Sequence, residues 1–133
     1  MTKKEMTTQD IVKNSDEVKR YKMNWEEIYV LLAKAVKTNK YRILRSGNTL
    51  FVIKIIDPEF AELATFNAEN SFKTYVRNIK EFLKAAEAAG YKKIKAKNVN
   101  IQMINLMKHA GYNVESTPMD KGWYSVVGTK GDK

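Results

Sequence analysis

Residues 79–114 have the sequence IKEFLKAAEAAGYKKIKAKNVNIQMINLMKHAGYNV, and this segment carries the clearest structural signal in the chain. It contains two apolar-periodic stretches, and each ends at a glycine followed by a tyrosine, Gly90-Tyr91 and Gly111-Tyr112. Glycine is common just past a helix end because it adopts the left-handed conformation without strain. Between the two glycines, Ile94 and Ala96 alternate with lysines, which predicts a strand with one solvated face. The segment therefore predicts a helix, a strand and a second helix.

The first of these helices begins before residue 79 and is strongly amphipathic. Asn70 or Ser71 can cap its start, so the predicted helix covers residues 71–89. Its inward positions recur at helical spacing and are Phe72, Tyr75, Ile79, Phe82, Leu83 and Ala86. Its other face carries four cations, which we call the basic stripe: Lys73, Arg77, Lys80 and Lys84. The second helix follows Asn100, and its inward positions are Ile101, Ile104, Met107 and Ala110.

Further elements flank this segment on both sides. Upstream, Asn24 caps a helix whose apolar positions are Ile28, Leu31, Leu32, Ala35 and Val36. A hairpin then turns at Ser46-Gly47-Asn48, and a third strand covers roughly residues 62–66. Downstream, strands at residues 112–116 and 123–127 form a closing hairpin. This order predicts an α/β (α+β) class domain with a mixed sheet over residues 24–128, preceded by a weakly ordered segment, 1–23, and followed by a loose tail, 129–133.

The composition excludes several classes of site. The chain of 133 residues has no cysteine and a single histidine, His109, so thiolate zinc sites, iron–sulfur clusters and cysteine nucleophiles are excluded. We predict no metal site, and His109 near a helix end has no visible partner as a catalytic base. No apolar run reaches the roughly 18 residues of a membrane span, and the first ten residues are polar. We therefore expect an intracellular protein that is not secreted.

The positive charge is concentrated in one part of the chain. The formal net charge is +9, and residues 71–113 carry nine basic and two acidic residues. A concentrated positive field attracts nucleic acid, acidic proteins or a phosphate-bearing cofactor. A lysine-rich solvated surface has the same composition, so the charge alone leaves these alternatives open.

The chain resembles the GNAT acyltransferase fold, over residues 24–128 by element order and over residues 79–114 by sequence. In that family a long helix ends in glycine and an aromatic residue, a strand follows, and an asparagine opens a short helix with a second such ending. Gly90-Tyr91, Asn100 and Gly111-Tyr112 match these features. The resemblance implies a mixed sheet with helices on both faces, and a site for acetyl-CoA.

Two positions depart from the pattern of GNAT enzymes. The family holds the pyrophosphate of acetyl-CoA in an Arg/Gln-x-x-Gly-x-Gly/Ala loop, which falls here on residues 70–75, NSFKTY, and lacks glycine. Tyr75 stands at the last small position of that loop, where it would crowd the cofactor. The family's proton-donating tyrosine corresponds to Met107, which has no proton to donate. We therefore predict no catalytic residue and no bound cofactor.

Three residues stay candidates for cofactor binding if acetyl-CoA does bind. Ser71 and Lys73 could hold phosphates at the helix N-terminus, and the resemblance implies that Asn100 could bond a pantetheine amide. Each has a structural alternative, because Asn100 and Ser71 also suit helix caps and Lys73 suits a solvated face. Glu62 lies on a central strand where GNAT bases sometimes sit, or it is a strand-edge carboxylate. Trp123 is either core of the last hairpin or a stacking surface.

Small, lysine-rich GNAT-like domains with these departures resemble internal virion proteins of short-tailed bacteriophages. The likeness lies in the helix that ends in Met-Lys-His-Ala-Gly-Tyr and in the hairpin that follows it and carries Trp123. It implies a non-catalytic structural or interaction protein of a virion or phage–host assembly, with protein partners that include virion components. One alternative is an acetyl-CoA-dependent N-acetyltransferase with an atypical loop. A second is weak, non-specific nucleic-acid binding through the basic stripe.

Overall fold

A computed structural model describes residues 6–20, 22–119 and 122–130 of the chain. The helices are α1 (Thr8–Asn14), α2 (Asp16–Arg20), α3 (Trp25–Val36), α4 (Phe72–Ala89) and α5 (Ile101–His109). The strands are β1 (Tyr41–Ser46), β2 (Thr49–Asp57), β3 (Phe60–Asn67), β4 (Lys93–Val99), β5 (Asn113–Pro118) and β6 (Tyr124–Thr129). The type and order of the elements from α3 onward are those that the sequence predicts.

All six strands form one mixed sheet in the order β1-β2-β3-β4-β6-β5. Neighbouring strands are antiparallel except β3 and β4, which are parallel and are connected through α4. The parallel ladder runs from Phe60 opposite Lys93 to Leu63 opposite Ala96. Both strands continue beyond this ladder, to Asn67 in β3, and their carboxyl ends separate. The order of strand, helix and strand that the sequence predicts over residues 62–97 thus folds as a parallel βαβ unit.

Helices α4 and α5 cover one face of the sheet. Four side chains of α4 form a buried cluster with Phe51 and Ile53 of β2 and with Met103, Ile104 and Met107 of α5. The four are Ile79, Phe82, Leu83 and Ala86. The Phe51 and Phe82 rings stack with centroids 4.7 Å apart. Gly90 and Gly111 have φ of 84° and 97°, so the left-handed conformation predicted at both helix ends is confirmed.

Helices α1, α2 and α3 lie on the opposite face, against Leu50, Val52 and Phe66. The sequence predicts weak order over residues 1–23, with a short, fraying helix over residues 8–21. The structure has two helices there, Thr8–Asn14 and Asp16–Arg20, and Ile11 and Val12 are fully buried. Burial against the sheet and a capping box at Thr7 stabilise α1 despite its short length. Residues 1–5 and 21 lie outside the described residues.

Four side chains that the sequence predicts to face inward are exposed: Leu31, Val36, Phe72 and Ile101. Phe72 and Ile101 are the first residues of their helices, so their side chains lie beyond the packed turns. In α3 the contact with the core is made by one narrow side of the helix, through Trp25, Ile28, Tyr29 and Leu32. The apolar surface of α3 is therefore wider than the surface that the core covers.

The predicted loose tail begins later than residue 129. Thr129 pairs with Lys93 in the sheet, and the Lys130 N–H donates to the carbonyl oxygen of Lys92 at 2.6 Å. Residues 131–133 lie outside the described residues. Pairing with β4 thus orders Thr129 and Lys130, which the sequence places in a loose tail.

Candidate functional site

A crevice of about 450 Å³ opens where the carboxyl ends of β3 and β4 separate. Ligands of open α/β sheets commonly bind outside the carboxyl ends of parallel strands, where helix N-termini also converge. The crevice is lined by Asn67, Tyr75, Asn100, Gly122 and Trp123, and by three residues of α2, which are Asp16, Glu17 and Lys19. By position in the fold, this crevice is the first candidate site.

The two carboxylates of helix α2 accept hydrogen bonds from the end of β3. The Asn67 backbone N–H donates to Oε1 of Glu17 at 2.7 Å, and the Asn67 side-chain amide donates to Oδ2 of Asp16 at 3.3 Å. Glu17 is buried, and the hydrogen bond from the strand compensates part of the loss of hydration of its charge. One wall of the crevice is therefore acidic.

Tyr75 lies in the first turn of α4 and faces this acidic wall. Burial raises the pKa of its phenol, and the negative charges of Glu17 and then Asp16 raise the pKa further. The phenol therefore stays neutral at physiological pH, as an ordinary tyrosine does. The Glu17 and Asp16 carboxylates contribute a negative potential beside it. A negative potential favours cations and disfavours anions at this place.

The structure does not bring the three cofactor-binding candidates together. Ser71 is exposed and caps α4, accepting the Thr74 N–H at 3.3 Å. Lys73 is exposed in a surface groove on the outer side of α4, while Asn100 lines the crevice. The side-chain oxygen of Asn100 accepts the Met103 N–H at 3.0 Å as the cap of α5. Cofactor binding by these residues stays a prediction.

The other residues singled out in the sequence lie apart from one another. Met107 is fully buried in the core beneath α5. Glu62 is half-buried on the sheet face opposite α4, in a second groove shared with Tyr41, Lys54, Lys95 and Lys97. His109 is exposed at the end of α5, and Trp123 is buried at the crevice. The structure therefore does not assemble Glu62, His109 and Met107 into one catalytic group.

Among the crevice residues that the sequence does not reveal, Asp16 and Glu17 are the two acids. Both contact Asn67, which lies 51 residues after Asp16 and 50 after Glu17 in the sequence. No local sequence pattern connects residues so far apart. The one available signal is the pair of adjacent acids at the start of a short helix, which ordinarily indicates only favourable helix-end charge.

The basic stripe is exposed along the outer face of α4. Lys93, Lys95 and Lys97 alternate with Ile94 and Ala96, whose side chains belong to the core on the α4 side. These strand lysines therefore lie on the opposite face of the sheet, and the Lys93 Nζ lies 4.7 Å from the centroid of the Phe60 ring there. The two groups of cations do not form one continuous patch.

Within the described ranges, no cluster of three or more His, Cys, Asp or Glu side chains is arranged to hold a metal ion. No helix among the same residues is long and apolar enough to cross a membrane.

No protein-family model matches the chain, and no curated protein matches it significantly. Solved structures do match across nearly the whole chain. N-acetyltransferase PseH of Campylobacter jejuni has a TM-score of 0.57 at 17% identity, covering 96% of this chain and 94% of that one. A GNAT family acetyltransferase from Elizabethkingia anophelis, solved with acetyl-CoA bound, has a TM-score of 0.53 at 13% identity, covering 98% and 94%.

A spermidine N-acetyltransferase chimera from Vibrio cholerae and hSSAT gives a TM-score of 0.57 at 18% identity, covering 96% of this chain and 91% of that chain. Structural similarity at such low sequence identity establishes the fold and leaves the chemistry open. The matched region includes the six-stranded mixed sheet, its parallel β3–β4 pair and the helices on both faces. This chain has the GNAT fold.

Proposed function

We propose that this chain is a GNAT-fold protein that does not catalyse acetyl transfer and acts as a structural or interaction component of a phage particle or phage–host assembly. The observation that carries the proposal is the acidic wall of the crevice. Acetyl-CoA bears several phosphate charges, and the carboxylates of Asp16 and Glu17, both hydrogen-bonded to Asn67, line the crevice. Like charges at close range in a partly buried site repel strongly. The residues present do not fit the cofactor.

The start of α4 supports the same conclusion. A phosphate-binding loop needs small residues, so that backbone N–H groups can close around the anion. Residues 70–75 contain no glycine, and the Thr74 N–H already donates to the Ser71 hydroxyl. Met107, at the position of the family's acid, is fully buried and carries no proton to donate.

Acetyl-CoA should not stabilise the fold of this chain. Roughly 1 mM acetyl-CoA should leave the melting temperature unchanged, whereas a site with a dissociation constant of about 10 µM would add about 2.7 kcal/mol of stability. Differential scanning fluorimetry measures this, with an active GNAT enzyme as the positive control. A clear upward shift, together with release of free CoA thiol in the presence of a mixture of amines, would contradict the proposal.

That contradictory outcome would support the alternative, an acetyl-CoA-dependent N-acetyltransferase with an atypical loop. Its support is the similarity to acetyltransferases, one of which binds acetyl-CoA.

The phage association rests on the resemblance of the C-terminal half to internal virion proteins. Mass spectrometry of purified particles tests it, since a particle component should be present at a fixed number of copies per virion.

A second candidate function is non-specific nucleic-acid binding by the basic stripe. Lys73, Arg77 and Lys80 share a surface groove with Phe72, whose side chain is 58% exposed. Cations that contact phosphates beside an exposed aromatic ring are typical of sequence-independent binding to single strands. Such binding should weaken steeply as salt rises.

Replacing the four cations of the basic stripe with glutamine should flatten the salt dependence. The slope of log K against log[salt] should fall by roughly 0.7 for each single-strand phosphate contact removed. Fluorescence anisotropy with a labelled oligonucleotide measures the slope. The matched control replaces Lys54, Lys93, Lys95 and Lys97, which removes the same charge from the opposite face and should leave the slope unchanged. Equal slopes for both variants, or no affinity of the natural chain at low salt, would rule this function out.

A further inference from the structure

Helix α3 presents a second stripe of side chains on the side that faces away from the core. The stripe consists of Glu27, Val30, Leu31 and Lys34, spaced so that all four lie on one helix face. Leu31 is 65% exposed, more than any other large apolar side chain in the described ranges, and Val30 is 50% exposed. A groove lined by Asn24, Glu26, Glu27, Val30 and Leu31 runs along this face.

The order of residues in this stripe is self-complementary. An acid lies three residues before the apolar pair, and a base lies three residues after it. When two such helices run antiparallel about a two-fold axis between Val30 and Leu31, Glu27 of each copy faces Lys34 of the other. The apolar pairs then meet at the centre. Interfaces with two-fold symmetry require this property, because the same patch must bind itself.

We propose that two copies of this chain form a dimer through antiparallel pairing of their α3 helices. A second copy satisfies both features of the stripe at once, because it covers Val30 and Leu31 with apolar atoms and pairs each charge with its opposite. A single helix pair is smaller than the roughly 800 Å² per partner of a stable interface. The dimer therefore forms at micromolar or higher concentration. The proposal is independent of whether the crevice binds acetyl-CoA.

Charge reversal tests the register of the pairing. Glu27→Lys places like charges opposite each other twice in the dimer, and Lys34→Glu does the same with the other sign. Each single change should raise the dissociation constant about tenfold or more, because two attractions become two repulsions. The double change, Glu27→Lys with Lys34→Glu, exchanges the signs and should restore the natural dissociation constant to within about threefold. Sedimentation equilibrium over a wide range of protein concentration measures these constants.

Two further variants distinguish loss of this interface from a change in net charge or in the fold. Glu115→Lys changes the net charge as Glu27→Lys does, at an exposed position of β5, and should leave the dimer intact. Leu31→Glu brings two carboxylates to the centre of the pair and should abolish the dimer, while circular dichroism shows an unchanged fold. A natural chain that is monomeric at the highest concentration overturns the proposal. A double variant that is no more dimeric than the single variants also overturns it.

Discussion

Replacing Phe82 with alanine should lower the free energy of unfolding by about 3–5 kcal/mol, the usual range for removing a buried phenylalanine. The Phe82 side chain is 2% exposed, and its ring stacks on Phe51 with centroids 4.7 Å apart. The substitution removes this contact and leaves a cavity between α4 and β2, which rigid neighbours fill only in part. Urea unfolding followed by circular dichroism measures the change.

The control for this prediction lies on the same helix. Phe72→Ala removes the same group from an exposed position, so the free energy of unfolding should change by less than about 0.5 kcal/mol. If both substitutions had equal effects, α4 would not pack on the sheet as the structure shows.

Replacing Asn78 with aspartate should destabilise the fold by about 3–5 kcal/mol at neutral pH, as expected when a buried charge is left without a compensating partner. Asn78 is 1% exposed, and its amide donates to Oε2 of Glu69 at 2.6 Å and to the Thr49 hydroxyl at 3.0 Å. Aspartate has almost the same shape, but it cannot donate these bonds when ionised, and it faces the Glu69 carboxylate.

The loss of stability caused by Asn78→Asp should increase as the pH rises. Burial and Glu69 should raise the folded-state pKa of the new carboxyl above its unfolded value of about 3.9. The folded state then holds the proton more tightly, so the deficit relative to the natural chain should be smallest below about pH 4 and should grow as pH rises toward the folded-state pKa. Asn105→Asp makes the same change at an exposed position of α5 and should show little deficit at any pH. A constant deficit across pH for Asn78→Asp would contradict the prediction.

Local patterns predict much of this fold, because its elements carry strong periodic signals. The apolar spacing of α4, the left-handed glycines at 90 and 111, and the alternation in β4 each follow from residues close in sequence. The parallel pairing then follows from the helix between two strands, since such a connection places them side by side.

The crevice could not be predicted in the same way. The contact of Glu17 with Asn67 depends on how α2 packs after the sheet has formed, and the sequence around Glu17 carries no sign of it. The exposure of Leu31 has a related cause, because periodicity shows that a residue is apolar on a helix face but not how much of that face the core covers.

The four-residue parallel ladder has a consequence for how the chain folds. It joins two antiparallel units, β1–β2–β3 over residues 41–67 and β4–β6–β5 over residues 93–129. Pairing within the first unit links neighbours in sequence, whereas the ladder links Phe60 to a residue 33 positions later. Closing a longer loop costs more chain entropy and slows folding. We therefore expect β1–β2–β3 to form early. The parallel ladder and the β4–β6 pair, which links Lys93 to Thr129, should gain amide protection later, when α4 docks on the sheet.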